Sequence, residues 1–332
     1  MRSVLTVAVT VAAVVSAPAL VAQQSDEERQ QRDTQALLGA VEAVAAGTEP
    51  TPTGISLQWE GNHFMKGAEG MTYIPFSLAV DASQLTQGAT LYVRAVSKDV
   101  VPVPDAETAE SPETVEYPWD DINFLDVVQE DRISRAMALA PGEYEVFVAI
   151  KQRAPAEVED DQLPLIAGLL RRDITVPDFE ANLSMSSVLI GEIAPLAAPL
   201  SEDEQAENPY TFGQMDVTVA AESRLSKAGE LQMLFWIYGT GQNDNKPDVT
   251  IEYSFHRQIA DGGEVYFNKT PPQTLNASTL PPQFDVTTDQ LPGMLFVPLG
   301  SFPEGTYRLE IKLTDTISGE TLTTNANFTV EA

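Results

Sequence analysis

Apolar residues recur at every second position in short runs from Ile55 to the end of the chain. Clusters of Gly, Asp, Ser and Pro separate these runs, which include ATLYVRAV, EYEVFVAI, DVTIEYSF and TYRLEIKLT. Alternation of this kind places successive side chains on opposite faces of a strand. No long amphipathic helical segment separates the runs, which argues against parallel βαβ units. The pattern therefore predicts an all-β protein.

Two parts of this strand-rich region follow the same plan. The phrase Gly-x-Tyr precedes an alternating run at Tyr144 and again at Tyr307, and two further strand landmarks, Leu91 and Val249, keep nearly the same separation. A shared spacing indicates a duplicated domain. We expect two tandem immunoglobulin-like antiparallel β-sandwich domains after a signal peptide and a short helix. The expected boundaries are 1–22 for the signal peptide, 23–53 for the helix and linker, 54–178 for the first sandwich and 182–332 for the second.

The repeated phrase has a structural explanation. Gly142 and Gly305 allow the turn that enters each strand, because glycine accepts backbone angles that other residues avoid. Tyr144 and Tyr307 can bury their rings while their hydroxyl groups bond to nearby backbone, as in the tyrosine corner of immunoglobulin-like sandwiches. We interpret all four residues as structural, and a ligand-binding tyrosine is the alternative.

The segment FPEGTYRLEIKLTDTISGETLTTNANFTV resembles the closing hairpin of immunoglobulin-like or fibronectin-like β-sandwich modules in exported bacterial proteins. It is particularly similar to the β-rich C-terminal regions of uncharacterised proteins that accompany GWxTD or von Willebrand A-type domains. The resemblance covers both halves after Gly54 and implies a sandwich fold. The chain lacks a GW-x-TD sequence, and DASQL at Asp81 lacks the second serine of an Asp-x-Ser-x-Ser motif. Metal-dependent adhesion is therefore not implied.

The N-terminal segment has the plan of a secretory signal peptide. One positive charge at Arg2 is followed by an uncharged apolar run to about Val15 and by small residues up to Ala22. This order predicts export with cleavage after Ala22, and the triplet at 17–19 offers an earlier site. The alternative is an uncleaved anchor, because the uncharged stretch approaches the ~20 residues that span a bilayer. No second apolar run of that length follows, so we expect no later transmembrane segment and a periplasmic or secreted protein.

The next segment predicts one helix. Ser25 and Glu28 fit a capping box, good helix formers follow, and Gly47 would end the helix. Pro50 and Pro52 then predict a linker. Four apolar side chains lie close together on the predicted helix: Leu37, Leu38, Val41 and Val44. We expect a mobile spacer, and packing on a partner is the alternative.

Composition narrows the classes of partner. The net charge is −30 at pH 7, and nucleic acids and anionic membrane surfaces would repel such a chain. The absence of cysteine excludes disulfides and thiol chemistry. The simplest explanation of the acidic composition is that a high net charge keeps a protein soluble. The alternative explanation is calcium binding. Its candidate ligands are Asp120 with Asp121, Glu159 with Asp160 and Asp161, and Glu202 with Asp203 and Glu204, although none of these groups has the spacing of a calcium loop.

Few side chains are suited to catalysis. The two histidines, His63 and His256, lie in no zinc-binding motif, and neither a nucleophile elbow nor a Walker loop occurs. We expect His63 in a loop and His256 on the less apolar face of a strand. Paired carboxylates for glycoside hydrolysis are recognised by a separation in space that a sequence does not give. We therefore expect no catalysis and no cofactor.

The three tryptophans are the candidate platforms for a sugar ring. Trp236 lies in LQMLFWIYG, where both faces of the strand are apolar. This pattern is typical of a central strand covered on both sides, with the neighbouring domain as one candidate cover. Trp119 follows an acidic, proline-containing insertion, and it is the better candidate for sugar binding.

The closing hairpin of the first domain contains an insertion. The second domain turns through DTISG, whereas the first inserts QRAPAEVEDDQLPLIAGLL before RRDITV. Hairpin loops usually need only ~2 to 5 residues. An apolar patch beside carboxylates is typical of a binding surface. The residues expected to bind a protein partner are Glu159, Asp160, Asp161, Leu163, Leu165 and Ile166, with Glu157, Leu169 and Leu170 beside them. The alternative is that Leu163 to Leu170 folds back on its own sandwich or begins the last strand early.

Together, these observations favour an exported, non-catalytic interaction or assembly module of the bacterial envelope or exterior. Its expected partner is a protein of the cell envelope. The alternatives are a carbohydrate-binding accessory protein, which a glycan array would detect, and a hydrolase that carries no recognised motif.

Overall fold

The chain is built almost entirely from strands, as its alternating pattern predicts. The computed structural model describes residues 17–99, 117–128, 131–153, 167–180 and 182–332. Within these ranges, twenty strands are joined mostly by turns and short loops, and the α-helices number two. The all-β fold class is confirmed.

Residues 57–176 form eight strands in two antiparallel sheets. The strands are β1 (Leu57–Asn62), β2 (Met65–Lys66), β3 (Thr72–Val80), β4 (Ala89–Ser97), β5 (Trp119–Leu125), β6 (Arg132–Leu139), β7 (Gly142–Gln152) and β8 (Ala167–Val176). β3 pairs with β1, β2 and β6, and the second sheet has the order β5-β4-β7-β8. Alternate residues of both sheets, such as Phe76 on β3 and Val148 on β7, are fully buried in one core. This N-terminal half is therefore a β-sandwich.

Residues 184–331 form two further sheets. The elements are β9 (Ser184–Met185), β10 (Leu189–Pro195), helix α2 (Glu202–Glu207), β11 (Thr211–Phe212), β12 (Met215–Val219), β13 (Arg224–Ser226), β14 (Glu230–Tyr238), β15 (Val249–Gln258), β16 (Glu264–Lys269), β17 (Gln273–Leu275), β18 (Leu291–Pro298), β19 (Gly305–Asp315) and β20 (Thr321–Glu331). One sheet has the order β11-β12-β10-β14-β18, with β9 also on β14, and the other has the order β13-β20-β19-β15-β16, with β17 also on β15. β13 pairs with β20 in parallel, whereas the other named strand pairs of these two sheets are antiparallel. Residues of both sheets share one core in this C-terminal half.

The strand order β4-β7-β8 of the N-terminal half recurs as β15-β19-β20 in the C-terminal half. The register of the two hairpins is also the same. Gly142 lies opposite Val176 and Gly305 opposite Val330, while each tyrosine two positions later faces an apolar residue of the last strand. The repeated phrase therefore occupies the same position in both halves.

The other landmark of the repeat is displaced by two residues from the alignment made on the sequence. Leu91 on β4 lies opposite Ile150, six residues after Tyr144. The residue opposite Leu313, six residues after Tyr307, is Ile251 and not Val249. A shift of two residues keeps the same face of a strand, so the alternation of apolar residues does not distinguish the two alignments.

Helix α1 (Ala17–Ala45) packs on the outer face of the β5-β4-β7-β8 sheet, and the expectation of a mobile spacer is wrong. The helix begins before the capping box predicted at Ser25, and it ends two residues before Gly47, whose φ is 68°. The predicted apolar side is buried against the sheet in a cluster of Leu37, Val41, Val44, Tyr92, Phe147, Ala149 and Leu169. No helix within the described part of the chain is long and apolar enough to cross a bilayer.

A buried ion pair fixes helix α1 to the sheet. The carboxylate of Asp33 binds the ammonium group of Lys151 on β7 and accepts a hydrogen bond of 3.3 Å from the hydroxyl of Thr90 on β4. All three residues are buried. Charged groups are stable inside a protein only when they are paired and hydrogen-bonded. The helix is therefore held both by apolar contacts and by an ion pair that is shielded from water.

We predict that Asp33→Ala lowers the free energy of unfolding by about 3 to 5 kcal/mol, because it removes one partner of a buried ion pair. Asp26→Ala is the matched control on the same helix. Asp26 is exposed and pairs with Arg29, so its loss should change stability by no more than about 0.5 kcal/mol. Urea denaturation followed by circular dichroism measures both values. Equal effects of the two substitutions would contradict a stabilising role of the buried pair.

We predict that Tyr307→Ala costs about 3 to 5 kcal/mol, because its ring is fully buried and stacks on Phe328 with ring centroids 5.3 Å apart. Tyr307→Phe should cost only about 1 kcal/mol, because it removes the 2.6 Å hydrogen bond from the hydroxyl to the carbonyl of Pro303. Tyr266→Ala, at an exposed tyrosine, serves as the control. Equilibrium unfolding in urea separates the three variants, and a loss below about 1 kcal/mol for Tyr307→Ala would refute the structural role.

Candidate binding site

Strand β14 is apolar on both of its faces. Met233 and Phe235 point into the core of the C-terminal half, whereas Leu234, Trp236 and Tyr238 point the other way. The second face is covered by residues of its own half on and beside β10, β11 and β12, by Phe179 of the segment between the halves and by Met65 of the N-terminal half. Together they form the junction cluster, which consists of Met65, Phe179, Leu189, Tyr210, Val217, Leu234, Trp236 and Tyr238. The interpretation of Trp236 as part of a doubly covered strand is confirmed.

Hydrogen bonds cross the junction at several points. Phe64 and Ser187 exchange two of them, since the amide of Phe64 donates to the Ser187 hydroxyl and the amide of Ser187 donates to the Phe64 carbonyl, both at 2.8 Å. The hydroxyl of Tyr73 donates to the carbonyl of Pro209 at 2.9 Å. The amide of Lys66 donates to the hydroxyl of Tyr238 at 3.2 Å. These bonds fix the orientation of the two halves, which apolar contact alone would leave loosely defined.

His63 lies in the loop between β1 and β2, as expected, but it faces the junction. Its Nδ1 atom is 3.1 Å from the hydroxyl oxygen of Tyr210, which also donates to the carbonyl of Pro75. Burial, together with the positive charge of Arg132, lowers the pKa of His63 to about 4. Burial also raises the pKa of Tyr210 to about 12. Both side chains are therefore neutral at physiological pH and serve as hydrogen-bonding groups.

A cleft of about 720 Å³ opens between the two halves, and we refer to it as the junction cleft. Its lining comes from the end of β5, the beginning of β6, the turn after α2 and strand β12. The lining residues are Phe124 to Val128, Arg132 to Arg135, Glu207 to Tyr210, and Asp216 to Val219. Its volume lies within the range of ~300 to 1,000 Å³ that ligand sites occupy.

The junction cleft is bordered by two sheet edges. β6 pairs only with β3, and β5 pairs only with β4, in the part of the chain that the structure describes. The carbonyl of Asp131 accepts from the amide of Val80 on β3 at 2.8 Å. In an antiparallel pair, the backbone N–H and C=O groups of every second residue point toward the partner strand, and those of the residues between point away from it. Since the groups of Asp131 point toward β3, those of Arg132 and Ser134 point to the free edge of β6. The cleft thus presents backbone donors and acceptors to a ligand.

Arg135 extends across the opening between β6 and β5. Its Nε atom donates to the side-chain oxygen of Asn123 on β5 at 2.9 Å, and its Nη1 atom donates to the carbonyl of Ser134 at 2.8 Å. Burial lowers the pKa of Arg135, while the charges of Glu207 and Asp121 act in the opposite direction. The guanidinium group is thus partly removed from water at the mouth of the cleft.

A second cavity, of about 430 Å³, also lies at the junction. Its walls include Tyr73, Phe212, Trp236 and Tyr238, with Lys66, Gln205 and Gln290 among the polar residues. Trp236 is only 3% exposed, and its ring contacts Phe212 at a centroid distance of 4.6 Å. The indole face is therefore already covered by protein and offers little surface for a sugar ring.

The insertion predicted to bind a partner lies largely outside the described residues. This applies to all six residues assigned to the partner surface: Glu159, Asp160, Asp161, Leu163, Leu165 and Ile166. Leu169 and Leu170 belong to β8, which begins at Ala167. Leu169 is buried beneath helix α1 and Leu170 packs against the N-terminal core, so including these two residues in an exposed patch is wrong.

The four residues of the repeated phrase lie at the entrances of β7 and β19. Gly142 and Gly305 have φ values of 152° and 140°, which residues with a Cβ atom rarely adopt. Tyr144 is 5% exposed and Tyr307 is fully buried. None of these four residues lines the junction cleft.

The remaining candidate residues lie apart from one another. His256 is half-buried on the outer face of β15, beside the ring of Tyr266. Trp119 is the first residue of β5 and packs against the N-terminal core. Glu202 to Glu204 begin helix α2, whose capping box is formed by Ser201 and Glu204. No group of three or more histidine or acidic side chains is placed to hold a metal ion in the described part of the chain.

Comparisons with known proteins assign no family. No family model and no curated protein matches the sequence. Trypsin-activated alpha-2-macroglobulin from Escherichia coli is 11% identical with a TM-score of 0.23, over 86% of this chain and 17% of that chain. Salmonella alpha-2-macroglobulin reacted with methylamine is 12% identical with a TM-score of 0.22, over 85% of this chain and 17% of that chain. Red sea bream transglutaminase is 8% identical with a TM-score of 0.23, over 87% of this chain and 33% of that chain. The chain spans a third or less of these proteins, and likeness at this level carries no functional argument.

We predict that His63 makes stability depend on pH. The unfolded chain binds a proton near pH 6.5, whereas the folded chain binds it only near pH 4. The unfolded state binds more protons between these values, so acidification from pH 6.5 to 4 should lower the free energy of unfolding by up to about 3 kcal/mol. His63→Gln removes this contribution. Urea denaturation at pH 7, 5.5 and 4 should therefore show a shallower decline for His63→Gln than for the original chain.

His256→Gln is the matched control, because His256 lies outside the junction. Its stability over the same pH range controls for the loss of a histidine that lies outside the junction. A decline that is unchanged in His63→Gln would show that the junction histidine does not contribute.

Proposed function

We propose that this chain is an exported, non-catalytic interaction module that binds an extended polypeptide segment of an envelope partner in the junction cleft. Export is supported by the signal-peptide plan of the first 22 residues. Binding is supported by one observation above all, the free edge of β6 along the wall of a cleft between two halves. An extended chain pairs with such an edge through its backbone, so the mode of binding is strand addition.

The cleft supplies the two components that strand addition needs. Arg132 and Ser134 present backbone groups to the free edge, as described above. The surrounding side chains provide contacts for alternate residues of an added strand: Phe124 and Val127 are apolar, whereas Asp216 and Thr218 are polar. Val127 is 69% exposed, which is unusual for an apolar residue at a cleft. These groups favour a polypeptide over a sugar, because a strand uses the backbone edge and a sugar does not.

The junction contacts support a module with a fixed cleft. The cleft walls come from both halves, and the junction cluster and its hydrogen bonds hold them together. A site whose walls are already ordered loses less conformational entropy when a ligand binds. This arrangement suits a protein that holds one segment of a partner during assembly.

We predict that Ser134→Pro abolishes binding, because it removes an amide from the free edge without breaking the ladder to β3. Ala138→Pro is the matched control, since it lies on the same strand with the same orientation but outside the cleft lining. The probe is a pool of random hexapeptides passed over immobilised protein, with the retained fraction measured by mass spectrometry. Ser134→Pro should retain about tenfold less than Ala138→Pro, which corresponds to one or two net hydrogen bonds.

Thermal unfolding followed by circular dichroism establishes that both proline variants are folded. Equal retention by the two folded variants would contradict strand addition at β6. Absence of any retention by the original chain would overturn the proposed function itself.

A further inference from the structure

We infer that the bound segment ends in the junction cleft, where the guanidinium group of Arg135 holds its C-terminal carboxylate. This inference rests on the proposed function, because it specifies which part of an extended segment occupies the cleft. The hydrogen bonds of Arg135 stay within the N-terminal half and do not cross the junction.

Arg135 differs from its neighbours in having no ion-pair partner among the described residues. Arg132 lies 3.0 Å from a carboxylate oxygen of Glu60, and Arg153 lies 2.8 Å from one of Asp126. The side-chain bonds of Arg135 go instead to an amide oxygen on Asn123 and to a backbone carbonyl. The chain has 49 acidic and 19 basic residues, so an arginine without a close carboxylate is unexpected. The position favours an anion that is supplied from outside.

The donors of Arg135 leave room for that anion. A guanidinium group has five N–H donors, and the two bonds described above use two of them. Partial removal from water strengthens any pairing that the remaining donors make. A carboxylate matches the planar guanidinium group and can accept two parallel bonds from it. The chemistry therefore fits a carboxylate better than a neutral group.

The position of the guanidinium group on the strand edge indicates a chain end. It donates to the carbonyl of Ser134, one of the acceptors at the free edge of β6. A strand that ran past this point would have to share that acceptor with the guanidinium group. A strand that ran parallel to β6 and ended there would pair with the groups of Arg132 and with the Ser134 amide, and it would place its terminal carboxylate at Arg135. Capture of a C-terminal carboxylate is a known mode of peptide recognition.

Two nearby carboxylates limit the strength of this site. Glu207 and Asp121 act on Arg135 from beyond ion-pair distance. Asn123 separates Asp121 from the guanidinium group, because its side chain donates to Asp121 and accepts from Arg135. A carboxylate ligand would be repelled by both acids. Binding should therefore be selective for a carboxylate at one position and should not extend to polyanionic peptides.

The test compares three hexapeptide pools on the immobilised full chain. One pool has free C-termini, the second is amidated, and the third is amidated with one glutamate at an internal position. The original chain should retain the free-acid pool about tenfold better than the amidated pool, which corresponds to a charge-assisted pairing. Arg135→Gln should remove this preference. Arg171→Gln is the matched control, because neither Arg171 nor its ion-pair partner Glu145 lines the cleft, and it should leave the preference in place.

Each other result has a distinct meaning. Equal retention of free-acid and amidated pools, with Ser134→Pro still reducing both, would overturn the terminal anchor and leave strand addition intact. An Arg135-dependent preference for the glutamate pool over the free-acid pool would also overturn it, because the carboxylate would then come from a side chain. Retention of no pool would overturn the proposed function and this inference together. The preference for the free-acid pool is measured on the original chain. The inference can therefore be tested even if Arg135→Gln fails to fold.

Discussion

The arrangement of the two halves depends on the two apolar faces of β14. One face completes the core of its own half, and the other carries Leu234, Trp236 and Tyr238, which share a cluster with further residues of that half, with Phe179 and with Met65 of the N-terminal half. Burial of large apolar side chains is the main favourable contribution to folding. The N-terminal half therefore completes the cover of the second face. The two halves are joined by this shared cluster and by the hydrogen bonds beside it.

This dependence determines which surfaces of the N-terminal half stay accessible. The C-terminal half covers the outer face of the sheet that contains β3, through Pro209 and Tyr210. Helix α1 covers the outer face of the opposite sheet, through the cluster around Tyr92 and the pair of Asp33 with Lys151. Both broad faces of the sandwich are thus covered. The lateral opening between β5 and β6 remains, and it is there that the junction cleft lies.

Sequence patterns predicted the elements better than their contacts. Alternation identified most strands and the doubly covered β14, because each of these features depends on neighbouring residues. Strand β5 was not recognised, since its polar residues Asp120, Asp121 and Asn123 interrupt the alternation at a sheet edge. The docking of helix α1 depends on the polar residue Asp33, which an apolar stripe does not reveal. The junction role of His63 depends on Tyr210, which is 147 residues away in the sequence.

The three tryptophans are placed so that they divide the protein into separately observable parts. The ring of Trp59 stacks on Phe76 at a centroid distance of 4.8 Å, and Trp119 also packs against the N-terminal core. Trp236 lies in the junction cluster, and the C-terminal core contains no tryptophan. Indole fluorescence shifts to longer wavelength when water reaches the ring. Separation of the halves would therefore change the emission of one indole and leave two unchanged, so the chain carries its own optical reporter for the contact between its halves.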